Sequence, residues 1–232
     1  MTSGGGPLSD QLLFAFDHEA RSGFQDFMPA ASNQEALSWI ARWPDWQAPA
    51  LILHGPKGAG KSHLAAIWAA RSQGVDLGDG LGDVLELDAS RSYLIDPAEP
   101  VLDEMKLLQL YNRLREDGGS MLLTATKPAL QWAIKLPDLR SRLAAAPSVV
   151  IGPPDDQLLA ALFLKLFDDR QLSVPEPVIR YLLTHMERSF AKARELVDEL
   201  DRLSLSRKQP ITIPLARLAL EVERGADKET ED

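Results

Sequence analysis

One segment of eight residues constrains this chain of 232 residues more than any other. Residues 55–62 read Gly-Pro-Lys-Gly-Ala-Gly-Lys-Ser, which fits the pattern G-x-x-x-x-G-K-[ST] without a gap. The apolar run 51–53 precedes this segment, and an Ala-rich stretch that favours a helix, residues 64–71, follows it. This order of strand, loop and helix is the context that a phosphate-binding P-loop requires.

Each residue type in this segment has a physical reason to be there. Glycines allow consecutive backbone N–H groups to turn towards a phosphate, and the N-terminus of the following helix adds partial positive charge. We expect Lys61 to reach the β- and γ-phosphates and the Ser62 hydroxyl to hold Mg²⁺. The sequence therefore predicts that ADP or ATP binds with Mg²⁺, and the predicted contacts are Gly55, Pro56, Lys57, Gly58, Ala59, Gly60, Lys61, Ser62 and His63.

The composition bounds the class of protein. With 45% hydrophobic residues the chain can bury a substantial core, which excludes wholesale disorder. We find no apolar run of the roughly 18 residues that a membrane span needs, and no signal-peptide pattern. Because cysteine is absent, disulfides and thiolate metal sites are excluded, which favours the cytoplasm. The net charge of −9 argues against a broad basic surface, so we expect neither sequence-specific DNA binding nor a membrane partner.

Further strands and helices follow from hydrophobic pattern and turn residues. Residues 92–96 predict a buried strand that ends in an acid, and opposite a P-loop such an aspartate holds Mg²⁺ through water. Asp96 is therefore the second predicted metal residue beside Ser62. The preceding strand has two candidates, residues 75–77 and 84–87, and the sequence does not choose between them. The other predicted elements are helices from 32–33 to about 43 and over 103–115, and strands over 121–126 and 148–151.

After the boundary Gly-Pro-Pro at 152–154, the pattern predicts helices alone. The first predicted helix begins at 155–156, the second covers about 177–188 and the third covers about 190–206. A short fourth helix is predicted after Pro214. The charged C-terminal end is expected to fray. We therefore predict four regions, which are a flexible tail over 1–20, a nucleotide-binding core over 21–152, a helical domain over 153–222 and a charged tail over 223–232.

A P-loop α/β core followed directly by a small helical domain resembles the AAA+ ATPases. The resemblance implies a parallel five-stranded sheet flanked by helices and followed by an all-α lid domain. Residues 139–143, Leu-Arg-Ser-Arg-Leu, look like the box that carries the arginine finger, which assigns that role to Arg142. Thr126 matches the sensor 1 position, with Thr124 as the alternative. Residues 192–196, Lys-Ala-Arg-Glu-Leu, look like the sensor 2 segment, which places that role on Arg194.

More specifically, the chain resembles the DnaA/Hda family of bacterial replication regulators over about residues 8–222. Phe24-x-x-Phe27 followed by Ser32-Asn33 is similar to the adenine-side segment of that family, so Phe27, Ser32 and Asn33 are predicted nucleotide contacts. Family-like segments recur in order at 136–142, 153–156, 169–172 and 187–190. The chain ends soon after the predicted lid, without the DNA-binding domain of DnaA, which favours the shorter Hda members.

The N-terminal Gln-Leu-Leu-Phe at 11–14 resembles a motif that binds the sliding clamp, the beta subunit of DNA polymerase III. Its predicted clamp contacts are Gln11, Leu12, Phe14 and Phe16, with phenylalanines where leucines are more usual. The alternative is a strand or a segment packed on the core. A motif that inserts apolar side chains into a pocket of the clamp would attach the chain to the clamp and would add no catalytic group.

The resemblance implies a regulator that is tethered to the DNA-loaded clamp, stimulates ATP hydrolysis on DnaA through Arg142 in trans, and so suppresses initiation. Alternatives are a helicase-loader-like AAA+ ATPase that acts on DNA or a replicative helicase, and an ATPase unrelated to replication. We expect weak intrinsic turnover, because Asp96 is followed by Pro97 rather than a second acid, with Glu99 as a substitute. The sequence leaves open whether ADP or ATP is the active nucleotide and whether the chain forms a homodimer or larger homo-oligomer.

Overall fold

The apolar segments before residue 152 form one sheet in this computed structural model, which describes residues 29–78, 80–96 and 103–230 and, over 223–230, the backbone alone. The five strands lie in the order β2-β3-β4-β1-β5 and all pairs are parallel. Their bounds are β1 Ala50–His54, β2 Val75–Asp76, β3 Ser92–Ile95, β4 Ser120–Ala125 and β5 Ser148–Val150. The predicted parallel five-stranded sheet is confirmed.

Four helices cover the two faces of the sheet: α1 Gln34–Ala41, α2 Lys61–Ser72, α3 Glu104–Asp117 and α4 Pro137–Ala145. Residues of α1 and α2 pack with one side of the strands, and residues of α3 and α4 pack with the other. Burial on both faces explains why the strands read as continuous apolar runs rather than as alternating patterns. Trp46 stacks on the buried Trp68 of α2 at 5.5 Å between ring centroids, and Trp43 meets the same ring edge-on at 6.4 Å. Trp43 and Trp46 therefore pack against α2.

The structure decides between the two candidates for the second strand. Residues 75–76 pair with β3, whereas Val84–Glu86 forms a short 3₁₀ turn. The Asp83 carboxylate accepts a hydrogen bond from the backbone N–H of Leu85, 3.0 Å away, which gives this turn a local cap. An aspartate in this position favours a turn over a strand, because its side chain competes for backbone N–H groups.

Residues 153–230 form a separate helical unit. Its helices are α5 Asp156–Asp169, α6 Glu176–His185, α7 Phe190–Arg207 and α8 Ile213–Thr230. Asp155 caps α5 and Ser189 caps α7 through side-chain oxygens that accept backbone N–H groups. Apolar side chains of all four helices form one core, with Phe163 and Leu200 fully buried.

The prediction of a short last helix was wrong. Helix α8 has 18 residues and continues to Thr230, through the segment that we expected to fray. After its buried first half the sequence contains a single glycine and no proline, and charged residues with good helix propensity can extend a helix that tertiary packing has already nucleated. Within the described residues, no helix is long and apolar enough to cross a membrane.

Candidate nucleotide-binding site

The P-loop lies between the end of β1 and the start of α2. Gly55 lies very close to the segment that follows β5. A Cβ atom added to Gly55 would lie 2.0 Å from the backbone oxygen of Ile151, and the φ of Gly55 is +151°. Gly60 precedes α2 with a φ of 95°, a left-handed conformation that glycine adopts without steric cost. The glycines at these two positions are therefore required by geometry, one by contact and one by backbone conformation.

The loop places a helix N-terminus and an ammonium group together. The Nζ atom of Lys61 lies 2.8 Å from the backbone oxygens of both Gly55 and Pro56, so the side chain folds back over the start of the loop. No side chain caps the N-terminus of α2, which leaves its first backbone N–H groups available to acceptors. Ser62 follows Lys61 in the first turn. N–H groups, an ammonium and a hydroxyl in this order fit the phosphates of a nucleotide and their Mg²⁺.

Asp96 lies at the same edge of the sheet, directly after β3. The hydroxyl of Thr124 in β4 donates a hydrogen bond to Asp96 Oδ1, and Thr124 is fully buried. Thr126, the preferred sensor 1 residue, lies one residue beyond the end of β4 and is exposed. The structure thus connects the alternative sensor residue with the predicted metal carboxylate, an interaction that the sequence analysis did not anticipate.

A magnesium ion at this edge would depend on the nucleotide. Among the described residues there is no group of three or more histidine, aspartate or glutamate side chains that could hold a metal ion by themselves. Mg²⁺ in proteins commonly has one or two protein ligands, several waters and phosphate oxygens. Ser62 and Asp96 fit that type of site, in which the ion is held together with the phosphates.

Ser32 and Asn33, which are predicted to contact the adenine, lie next to the P-loop at the same edge of the sheet. The backbone N–H of Gly152, after β5, donates to the backbone carbonyl oxygen of Ser32 at 2.9 Å. Asn33 is buried, and its side-chain oxygen accepts from the backbone N–H of Ala30 at 2.9 Å. Since Gly55 packs against Ile151, the segment with Ser32 and Asn33 lies beside the P-loop side of the sheet. Phe27 lies outside the described residues.

Arg142 is held away from this edge. Its Nε and Nη2 atoms donate to the two carboxylate oxygens of Asp138 at 3.1 and 3.3 Å, one helical turn earlier on α4. Its guanidinium carbon lies 5.7 Å from the ring centroid of Tyr111 on α3, within the range of a cation–π contact. Tyr111 lines a cavity with Ser92 and Ser120, which begin β3 and β4. Arg142 therefore lies towards the edge where strands start, whereas the P-loop and Asp96 follow strand ends.

Glu104 anchors the segment that leads into α4. Its carboxylate accepts the backbone N–H of Lys135 at 3.0 Å and that of Leu136 at 2.8 Å. These hydrogen bonds lower the pKa of Glu104, because they stabilise its charged form. The sequence analysis missed this residue. An acid directly after the N-cap aspartate of α3 resembles an ordinary first-turn acid, and only the fold brings residue 135 to it.

The remaining predicted site residues lie elsewhere. Arg194 is exposed on α7 in the helical unit, with no hydrogen bond or ion pair to any other described residue. The predicted clamp contacts, Gln11, Leu12, Phe14 and Phe16, lie outside the described residues, as do Pro97 and Glu99. The roles of these residues stay predictions.

Residues 155–220 match the family described as "Hda, lid domain". The fold is similar to that of domain III of the Thermotoga maritima replication initiation protein DnaA, with a TM-score of 0.72 and 16% identity over 87% of this chain and 96% of that one. AMPPCP-bound DnaA from Aquifex aeolicus is similar with a TM-score of 0.61 and 13% identity over 79% of this chain and 65% of that one.

The Thermotoga maritima Holliday junction branch migration motor RuvB is also similar, with a TM-score of 0.61 and 16% identity over 94% of this chain and 69% of that one. At these levels of identity the structural likenesses establish the fold alone. The lid match covers residues 155–220 and relates that part of the chain to the lid domain of Hda.

Proposed function

We propose that this AAA+ protein of the Hda/DnaA type binds ADP or ATP with Mg²⁺ at its own P-loop and uses Arg142 to stimulate hydrolysis of ATP held by DnaA. The observation that carries the proposal is the location of Arg142, which contacts Tyr111 rather than any group of the P-loop edge. A guanidinium in that place lies away from the chain's own P-loop, which supports a role at a nucleotide on another molecule. Stimulation of hydrolysis in this way converts ATP-bound DnaA to the ADP form and suppresses initiation.

The chemistry of phosphoryl transfer supports a role for an arginine supplied in trans. Charge develops on the oxygens of the transferred phosphoryl group, and an arginine that approaches it raises the rate by roughly 10³–10⁵-fold in other systems. The side chain of Arg142 is 26% exposed, so it is partly accessible from solvent although it is restrained by Asp138. Exchange of the Asp138 carboxylate for phosphate oxygens uses the same N–H donors, because both acceptors suit the guanidinium fork.

The role proposed for the chain's own nucleotide is structural. Lys61, Ser62 and Asp96 provide groups that bind phosphate and Mg²⁺, while the residue after Asp96 is a proline and brings no second carboxylate. We therefore expect tight nucleotide binding with slow turnover. A steady-state rate equal to that of an active AAA+ motor would contradict this part of the proposal.

The N-terminal residues 11–16 complete the proposal as the clamp tether. Attachment to the DNA-loaded clamp raises the effective concentration of Arg142 near DnaA without adding a contact to the reacting phosphate. The proposed clamp contacts are Gln11, Leu12, Phe14 and Phe16. Their loss is expected to weaken stimulation at low protein concentration and to leave it unchanged at saturating concentration.

The test is ATP hydrolysis by a cognate DnaA, with this protein added, in the presence and absence of DNA-loaded clamp. We expect clamp-dependent stimulation by the wild type, its loss with Arg142→Ala, and a higher concentration requirement with a Gln11/Leu12 double alanine variant. Arg180→Gln is the matched control, since it removes an exposed arginine from the helical unit. Stimulation by the Arg142→Ala variant would overturn the proposal. Absence of stimulation together with salt-sensitive binding to single-stranded DNA would favour a helicase-loader function instead.

A further inference from the structure

A cavity of about 450 Å³ lies at the strand-start edge of the sheet, opposite the P-loop. The loop before β1, the starts of β3 and β4 and the C-terminal ends of α3 and α4 surround it. The floor contains Trp43 and two serines that are already hydrogen-bonded to one another. Trp43 Nε1 donates to Ser120 Oγ at 2.9 Å, and Ser92 Oγ lies 2.9 Å from the same atom. These groups stabilise the cavity and do not need a ligand.

Two other lining groups lack partners. Tyr111 is 4% exposed, and its hydroxyl makes no hydrogen bond to any described residue. The hydroxyl is not a buried unsatisfied atom, so it is open to solvent and can donate to an acceptor that enters the cavity. Arg115, one turn further along α3, is exposed and forms neither an ion pair nor a hydrogen bond within the described chain. Both groups are hydrogen-bond donors, and the arginine carries a full positive charge.

Arg115 is the one charged residue among the described residues that line the cavity, although the whole chain carries a net charge of −9. No aspartate or glutamate is among the described residues that line it. Burial raises the pKa of Tyr111, and the nearby positive charges of Arg115 and Arg142 act against that rise. A phenol O–H and a guanidinium on residues that line one cavity are complementary to a carboxylate. Charge complementarity thus selects an acidic group over a neutral or basic one.

The same tyrosine connects the cavity to the proposed arginine finger. One face of its ring lies under Arg142, at 5.7 Å, while the residue lines the cavity together with Arg115. A molecule that receives Arg142 in its nucleotide site would therefore cover the opening of the cavity. We propose that this cavity binds an aspartate or glutamate side chain of the protein whose ATP Arg142 contacts, through the Tyr111 hydroxyl and the Arg115 guanidinium. This inference rests on the proposed function, because it takes its partner from there.

The test separates binding from stimulation. Tyr111→Phe removes the hydroxyl and keeps the ring under Arg142, and Arg115→Gln removes the charge and keeps a polar side chain. We would measure the Kd of each full-length variant for ATP-bound DnaA, and the maximal stimulation at saturating concentration. Each variant is expected to raise the Kd by roughly tenfold, since a hydrogen bond to a charged group is lost, and to leave maximal stimulation unchanged. Arg115→Lys should restore part of the affinity, and the control Arg180→Gln should change nothing.

Each outcome decides between the two proposals. If Tyr111→Phe and Arg115→Gln leave the Kd unchanged while Arg142→Ala abolishes stimulation, the cavity has no role in docking and the proposed function stands. If the two variants raise the Kd but no protein stimulates hydrolysis, the cavity binds the partner and the finger role of Arg142 is wrong. A third outcome is that 10 mM inorganic phosphate binds the wild type, lowers its affinity for DnaA to that of the variants, and does not change the affinity of the variants. In that case the cavity binds a free anion, and the docking proposal is overturned. Tyr111→Phe lacks only an unpartnered hydroxyl, so a purely structural role of Tyr111 predicts an unchanged Kd.

Discussion

Thr124 and Asp96 are joined by a hydrogen bond from the Thr124 hydroxyl to Asp96 Oδ1, although they are 28 residues apart in sequence. The contact is possible because β3 and β4 are adjacent and parallel, with Ile95 paired to Leu123, so both residues lie at the strand ends. A fully buried hydroxyl thus fixes the orientation of the carboxylate that we propose for Mg²⁺. We therefore propose Thr124 as a positioning residue that acts through Asp96.

Replacement of Thr124 by valine is expected to weaken nucleotide binding only when Mg²⁺ is present. Valine has nearly the same shape but cannot hold Asp96, so we expect the Kd for ADP with Mg²⁺ to rise by about five- to tenfold. Titration with a fluorescent ADP analogue, with and without Mg²⁺, measures the effect. Thr124→Ser retains the hydroxyl and should bind like the wild type. An equal loss with and without Mg²⁺ would show that Thr124 does not act through the metal carboxylate.

The two lysines of the P-loop are expected to differ. Lys61 folds over the loop start through two hydrogen bonds of 2.8 Å, whereas Lys57 is exposed in the middle of the loop. Lys61→Ala should raise the Kd for ADP by about tenfold or more, because a charge-assisted hydrogen bond to phosphate is lost. Lys57→Ala should change the Kd less than about threefold. Isothermal titration of both variants checks the difference, and a larger effect of Lys57→Ala would contradict our assignment.

Gly55 is expected to tolerate no side chain. In Gly55→Ala the new Cβ would collide with the backbone oxygen of Ile151, so we expect the free energy of unfolding to fall by more than about 2 kcal/mol. Gly80→Ala is the matched control, because its Cβ would meet nothing within 4 Å, and it should change stability by less than about 0.5 kcal/mol. Urea unfolding followed by circular dichroism measures both. Similar stabilities for the two variants would show that the loop shifts to accept the methyl group.

The contribution of Glu104 to stability is expected to depend on pH. Its pKa is lowered in the folded chain by the backbone N–H groups of Lys135 and Leu136, so its stabilisation is present above the ordinary glutamate pKa and is lost as pH falls through the folded value. Glu104→Gln should therefore be less stable than the wild type at pH 7, and the difference should close below about pH 4. Urea unfolding of both proteins at several pH values from 7 to 3 measures how this difference in stability depends on pH.

A matched control for this prediction is Glu116→Gln, an exposed position near the other end of the same helix. In this variant the change in the free energy of unfolding between pH 7 and pH 3 should be close to that of the wild type. If the Glu104→Gln deficit were the same at pH 3 and at pH 7, the carboxylate charge would not be the source of the stabilisation.

Much of the fold followed from local patterns in the sequence. The P-loop flanks, the acid after residues 92–95 and the Pro-Pro boundary at 153–154 predicted a P-loop sheet followed by helices, and that architecture is confirmed. The Hda lid match over residues 155–220 agrees with the family resemblance in the helical unit, and the likeness to DnaA domain III agrees with it in fold. Such features are readable because backbone conformation at glycine and proline, and burial of apolar runs, depend mainly on neighbouring residues.

The sequence by itself determined which residue types make up the candidate phosphate site, since glycines, Lys61 and Ser62 lie within one short segment and their chemistry is local. Only the tertiary structure decided that β2 begins at Val75 and that Thr124 holds Asp96. The tertiary structure also decided that the Tyr111 ring lies beneath Arg142. The physical reason is that these contacts join separate strands and helices, whose register is set by packing of the whole sheet and cannot be read from any one segment.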